Sequence, residues 1–260
     1  MTTAEKRWTF ITVTYNSSKA LRQFWAGISL PNEIEWLVVD NCSSDGSADT
    51  AEHLGARVLR LHSNRGFGYA NNVGFAESQS EYVCFVNPDI TIVPADLSIL
   101  EKVIDNDAKS LIAPQLRNLD HTLQPNGRGE PYLIYKILHR LNPESVAATY
   151  ERYAQPGEVR RVDWLIGACV AAKRQRFNEL GPWDDRFFIY YEDADLGLRN
   201  TNSDGKSLLV GDVNWTHGWA RETATPNWSA WRHEIASMVK FYLRYPEYLK
   251  PPAHHTSTHQ

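Results

Sequence analysis

The chain has 260 residues, with 27 Lys and Arg against 31 Asp and Glu and a formal net charge of −4. Apolar residues make up 42% and charged residues 22%, ordinary globular values that exclude collagen-like, disordered and low-complexity classes. The length suits one large α/β domain or two small ones, and the slightly acidic balance gives no reason to expect a nucleic-acid partner.

The first half alternates strand and helix. Residues 10–15, rich in β-branched and aromatic side chains, read as a buried strand. Residues 18–30 read as a helix with Leu21, Phe24, Trp25 and Ile28 on one face. Residues 36–40 are a second buried strand and 41–46 a turn, after which Ser47 caps a short helix to about 54. Residues 57–61 are a third strand, 69–78 a helix opened by a glycine turn, and 82–86 a fourth strand. A helix with Pro94 near its start runs to 105. This order predicts an α/β fold with a mostly parallel sheet and helices on both faces. Crossovers should be right-handed, and ligands should sit at the carboxyl ends of the strands.

The second half is less regular. Residues 110–116 read as a strand. Residues 118–161 read as a long loop with one helix-like stretch at 133–141, a length that marks functional or mobile segments. Residues 162–172 are sheet-like, 186–191 lead into a helix over 193–200, and 227–245 form a final amphipathic helix. The tail from 251 to 260 is expected to be disordered. Cys42, Cys84 and Cys169 form no CxxC pair and leave an odd thiol, so a reducing compartment is expected rather than a disulfide scaffold. The polar start shows no signal-peptide pattern, and no apolar run approaches a membrane span.

Three strand ends can face one crevice: Thr14-Tyr15-Asn16, Asp40-Asn41 and Asn87-Pro88-Asp89. Asp40 can accept from a ribose hydroxyl or a base N–H, or serve as a turn residue bonding loop backbone. Pro88 stops its strand and aims Asp89 outward, where a carboxylate can bind Mg²⁺ or Mn²⁺ with a diphosphate completing the shell. Arg65-Gly66-Phe67-Gly68 is not a Rossmann fingerprint, because the third glycine is misplaced. It reads as a glycine turn exposing a helix N-terminus beside a basic side chain, which suits anions. Tyr191-Glu192-Asp193-Ala194-Asp195 packs three carboxylates into four residues. They can cap a helix, and Asp195 can pair with Arg199. Crowding in a cleft would also raise at least one pKa toward general-base territory. His217, between Trp215 and Trp219, reads as a packed histidine unless Asp89 binds a metal.

Taken in order, Val13-Thr-Tyr-Asn16, Val39-Asp-Asn-Cys-Ser-Ser-Asp-Gly-Ser47, Asn64-Arg-Gly-Phe-Gly68, Phe85-Val-Asn-Pro-Asp89, Trp164-Leu-Ile-Gly-Ala168 and Tyr191-Glu-Asp-Ala-Asp-Leu196 resemble a family 2 glycosyltransferase with the GT-A fold. The branch they resemble is that of bacterial rhamnosyltransferases building cell-wall, lipopolysaccharide or capsular glycans. The resemblance implies that Tyr15 and Asp40 hold the nucleoside, with Thr14, Asn16 and Asn41 shaping that pocket, and that Arg65, Gly66 and Asn87 lie along the nucleotide. It implies that Asp89 matches the last acid of the metal motif, and that His217 falls where related enzymes have a metal- or phosphate-facing histidine. Asp193 matches the catalytic base. Glu192 and Asp195 would orient the sugars, Trp164 and Gly167 match the acceptor-side segment, and Arg128 would lie in an acceptor-side lid.

The implied reaction is an inverting transfer of rhamnose from dTDP-rhamnose to a glycan or a polyprenyl-diphosphate-linked saccharide, assisted by Mg²⁺ or Mn²⁺. Another hexose from a UDP- or GDP-sugar, and a non-catalytic nucleotide-sugar binding subunit, are the alternatives. A nucleotidyltransferase would show a glycine-rich phosphate loop after the first strand, where this chain has Asn16-Ser17-Ser18-Lys19. Residues 1–117 would be the donor half and 118–250 the acceptor and catalytic half of one domain. A cytoplasmic protein is expected.

Nine Trp, twelve Tyr and nine Phe are a high aromatic content. Trp25 and Trp36 read as core, and Trp164, Trp183, Trp215 and Trp219 as an acceptor-side cluster suited to sugar faces. Trp228, Trp231, Phe241, Tyr242, Tyr245 and Tyr248 alternate with Arg232, Lys240, Arg244 and Lys250. That pattern fits a peripheral membrane contact on the inner leaflet, a second subunit in a homodimer, or packing on the core.

Overall fold

The computed structural model describes residues 6–218 and 228–252. Strands β1 (Trp8–Thr14), β2 (Ile34–Asp40), β3 (Arg57–Arg60) and β4 (Tyr82–Val86) run parallel in the order β3-β2-β1-β4. Helices α1 (Ser18–Phe24), α2 (Ser47–His53) and α3 (Phe67–Glu77) join them, and α4 (Leu97–Asn106) follows the short strand β5 (Ile90–Thr91). Beyond β4 the sheet becomes mixed. Strand β11 (Cys169–Lys173) lies antiparallel between β4 and β6 (Leu111–Arg117). Strand β12 (Ser207–His217) runs parallel to β6 and pairs antiparallel with β5 and β9 (Val159–Val162).

Strands β1, β2 and β4 are buried on both faces, as expected of a parallel sheet covered by helices, while β3 at the edge is half-buried to exposed. Their period-2 alternation sorts two cores. Trp8, Phe10, Trp36, Val38 and Cys84 point to one, Ile11, Val39, Val83 and Phe85 to the other. In the first core Trp25 stacks on Trp36 at 4.0 Å and 4°. Helix α1 ends at Phe24 rather than continuing to residue 30, because Trp25 turns onto that stack and Ala26-Gly27 follow as a turn. The two buried thiols, Cys84 and Cys169, lie 3.7 Å apart across β4 and β11, a pairing their sequence spacing does not suggest.

The second half departs most from the sequence expectation. Residues 118–161 are not mainly loop. They hold β7 (Gly127–Arg128), α5 (Leu133–Leu141), α6 (Ala147–Tyr150) and β8 (Glu151–Arg152), and with β10 (Trp164–Leu165) they build a second sheet in the order β10-β7-β8. The apolar run 162–172 is therefore divided between β9, β10 and β11 in two sheets. Residues 186–191 lead into a helix as read, through a turn in which Tyr190 and Tyr191 take left-handed backbone with φ of 70° and 71°. That turn launches α8 (Glu192–Asn202), while α7 (Arg174–Leu180) follows β11.

A third core joins α5, α6, α8 and α9 (Trp228–Arg244) through Tyr150, Trp164, Tyr191, Phe241, Tyr242 and Tyr245. The aromatic side of the last helix is thus packing for Phe241, Tyr242 and Tyr245. Asn227, the expected start of that helix, lies outside the described residues, as do Trp219, the Trp228 side chain and residues 253–260 of the tail.

Candidate active site

The carboxyl ends of β1 and β2 meet in register at Thr14 and Asp40. The buried Thr14 hydroxyl donates to Asp40 Oδ1 at 2.9 Å, and the Ser43 amide donates to Oδ2 at 3.0 Å. Asp40 is therefore a turn anchor, with lone pairs left on each oxygen for a ligand. Tyr15 is 51% exposed beside it. Asn16 takes a left-handed φ of 54°, and its Oδ1 accepts from the Ser44 amide at 2.9 Å.

Asn41 is buried and used internally. Its Nδ2 donates to Asn64 Oδ1 and to the Gly66 carbonyl, and its Oδ1 accepts from the Arg65 amide. It therefore braces the turn that carries Arg65 and does not face a ligand. Arg65 itself is exposed, 3.7 Å over the Tyr69 ring. Gly66 has φ of 92°, and a Cβ there would overlap the Phe188 carbonyl. Only glycine lets the Phe67 amide reach that carbonyl at 2.8 Å.

Asn87, Pro88 and Asp89 follow β4, half-buried. His217, at the end of β12, is buried, and its Nε2 lies 3.3 Å from Asp89 Oδ1. Gln124 Nε2 donates to Asn118 Oδ1, which turns its Oε1 to His217 Nδ1 at 2.6 Å. With an oxygen acceptor there, Nδ1 carries a proton, which leaves Nε2 as the nitrogen that faces Asp89. A carboxylate and an imidazole nitrogen that converge in this way are divalent-cation ligands by type, so the donor set fits a divalent ion. Among the described residues no group of three or more His, Cys, Asp or Glu could hold a metal. Remaining positions would come from phosphate and water, as is usual for Mg²⁺.

The three carboxylates of α8 have three different environments. Asp195 is fully buried. Its Oδ2 accepts from Arg199 Nε at 2.7 Å, and its Oδ1 from the Tyr245 hydroxyl at 2.9 Å, with Arg244 at 3.1 Å. Both oxygens are committed to packing, which corrects the expectation that Asp195 orients a sugar. Glu192 is buried with Oε2 unpartnered. Burial first, and the neighbouring Asp193 charge second, push its carboxyl up to about 8. The crowding expected from sequence thus falls on Glu192. Asp193 is half-buried, its Oδ2 accepting from the Gly167 amide at 3.1 Å and its Oδ1 from the Ala194 amide at 2.8 Å.

Gly167 and Ala168 join the two halves of the site. The Gly167 amide holds Asp193, and the next carbonyl, of Ala168, accepts from the Asn87 amide at 2.8 Å. Trp164, expected to contact sugar, is buried, donates Nε1 to the Gly129 carbonyl at 2.9 Å and packs by Tyr150. Arg128, on β7, is also buried and bonded to the Pro125 and Gly127 carbonyls, so it belongs to a sheet and not to a lid. Trp215 lies in the first core near Phe10, with Nε1 toward Asp96. Trp183 lies in the second core, its backbone clamped by Asn72. The expected aromatic acceptor cluster is thus largely core.

One functional candidate escaped the sequence. Lys136 on α5 sits 3.5 Å over the Tyr191 ring and 5.2 Å from Trp164. Burial pulls its ammonium down to about 8 against the charges of Asp193 and Glu192. A lysine among inward apolar residues of α5 was the available signal. Gln124, which sets the His217 tautomer, left none.

The glycosyl transferase family 2 model matches residues 9–175 of this chain. The chain is 30% identical over 236 residues to the N-acetylglucosaminyl-diphospho-decaprenol L-rhamnosyltransferase of Mycobacterium tuberculosis, covering 82% of this chain and 76% of that protein. Among solved structures, GalNAc-T7 with UDP, GalNAc and Mn²⁺ matches with a TM-score of 0.67 at 16% identity, over 96% of this chain and 52% of that one. The mannosyltransferase from Pyrobaculum calidifontis in complex with GDP-Man and Mn²⁺ matches at 0.61 and 17% identity, over 96% and 67%. At such identities these two likenesses concern the fold.

Proposed function

The chain belongs to glycosyl transferase family 2 and has the GT-A fold, and on that footing we propose that it is an inverting transferase moving rhamnose from dTDP-rhamnose to a polyprenyl-diphosphate-linked saccharide. The observation that carries this reading is the Gly167-Ala168 link, which ties Asp193 to the Asn87-Pro88-Asp89 turn. Sugar and acceptor are taken from the mycobacterial relative's name. Residues 1–117 supply the donor half and 118–250 the acceptor half.

Tyr15, Asn16 and Asp40 line the nucleoside end, and Arg65 offsets phosphate charge. Asp193 takes the proton of an acceptor hydroxyl, and that oxygen attacks the anomeric carbon as the bond to the nucleoside diphosphate breaks. Gly167 keeps the Asp193 carboxylate oriented. Mg²⁺ or Mn²⁺ held by Asp89 and His217 would neutralise charge on the leaving diphosphate. Glu192 and Lys136 set the field behind the base.

The test is purified protein offered dTDP-rhamnose, UDP-hexoses and GDP-mannose, with a polyprenyl-diphosphate N-acetylglucosamine acceptor and product read by mass spectrometry. Rhamnosylated lipid from dTDP-rhamnose alone supports the reading. Transfer from a UDP- or GDP-sugar moves the donor, and binding without transfer from any donor overturns the enzyme.

A further inference from the structure

We infer that the open face shared by α5 and α9 docks on an anionic lipid surface. Exposed large apolar side chains are concentrated there. On α9, Trp231, Ile235, Val239 and Leu243 recur every four residues and are all exposed, Leu243 at 78%. The core side of the same helix is already filled by Ser237, Phe241, Tyr242 and Tyr245. A helix apolar on two sides has one face too many for the core to cover. On α5, Ile134, Ile137 and Leu141 are exposed, Leu141 at 76%. The two helices are fastened together. Arg140 Nη1 donates to both Glu234 oxygens at 2.7 Å, and its guanidinium lies 4.0 Å over Trp231.

Charge selects the partner. Of the cations on these two helices, Lys136 points inward over Tyr191 and Arg244 is held by Asp184 and Asp195, which leaves Arg140, Arg232 and Lys240 against the single acid Glu234. That acid is consumed by Arg140. Arg232 and Lys240 are exposed beside the apolar stripe. A two-fold dimer through this face would set the patch against itself, cation near cation. An anionic bilayer surface accepts both parts: apolar side chains enter the interfacial layer and the cations meet the headgroups. Trp231 is the residue type enriched at that depth.

The face is also coupled to the site. Ser237 Oγ donates to the Ile189 carbonyl at 2.8 Å, and His233 stacks on Phe188 at 4.1 Å, both just before α8. These contacts come from the side of α9 opposite the apolar stripe, so docking would hold the N-terminal end of α8, with Asp193, behind the docked helix. Docking itself is independent of which sugar is transferred.

The test is co-sedimentation of the whole protein with vesicles of phosphatidylglycerol and phosphatidylcholine, or of phosphatidylcholine alone, without donor or acceptor. The expected result is binding to the anionic vesicles only, weakening as salt rises. V239E/L243E should release the protein, and R232Q should weaken binding about fivefold, with nucleotide binding and melting temperature unchanged in both. Equal binding to neutral vesicles, no binding, or binding untouched by both variants overturns the proposal. So does a concentration-dependent dimer that V239E/L243E dissolves, which would make the face a self-interface. Failure here would leave transfer to a water-soluble short-chain acceptor intact, and failure of transfer would leave vesicle binding intact.

Discussion

The Tyr245 hydroxyl donates to Asp195 Oδ1 at 2.9 Å, tying the end of α9 to the first turn of α8 across 50 residues of sequence. Arg199 and Arg244 occupy the rest of that carboxylate. Asp195 is therefore part of the support under Asp193. Asp195→Ala leaves Arg199 without its ion partner and should cost about 3–5 kcal/mol, the usual effect of breaking a buried pair. Tyr245→Phe should cost roughly 1.5–3 kcal/mol, the worth of a hydrogen bond to a charged group. Urea unfolding measures both. A folded, stable Asp195→Ala protein with lost transfer would instead mean that Asp195 handles sugar.

Asp193→Asn keeps the shape and the Gly167 contact but removes the basic oxygen. Transfer should fall by about 10²–10⁴-fold, the range of one general base, while nucleotide binding by calorimetry stays within error. Turnover near the parent value removes Asp193 from the proposed role.

Glu192 makes stability depend on pH. Its folded carboxyl is raised from 4.5 to about 8, chiefly by burial and then by Asp193. Between those values the folded state holds a proton that the unfolded state has released. Stability from this group is thus complete below about 4.5 and is lost as pH rises to about 8. Lys136, depressed by burial from 10.5 to about 8, acts in the next window with the opposite sign. Glu192→Gln stays neutral throughout. Its melting temperature relative to the parent should rise steadily from pH 5 to 8 and then level off. A difference that does not vary with pH contradicts the buried, protonated Glu192.

Gln124→Leu removes the oxygen that fixes the proton on His217 Nδ1. Nucleotide affinity in Mn²⁺ should fall about 10–100-fold, as for other outer partners of metal-binding histidines. Affinity in chelator should not change. His217→Ala should show the same metal-specific loss. Equal losses with and without Mn²⁺ would make both residues structural.

The first-half strands, the turns after them and the ordered motifs at their ends were legible in the sequence because they are local. A run such as Phe10-Ile-Thr-Val-Thr14 states its own period, and Pro88 ends its own strand. The same information singled out Asp40, Asp89 and Asp193 as candidates. Apart from the resemblance, it did not separate Glu192, Asp193 and Asp195, three acids on one helical turn. Their difference comes from an amide at Gly167, a hydroxyl at Tyr245 and the exclusion of water around Glu192. Nor could it foresee residues 118–161 as a packed sheet and helices, or Gln124 reaching His217 from 93 residues away. Hydrogen-bond satisfaction and desolvation are set by whatever the folded chain brings alongside, so they belong to the tertiary structure alone.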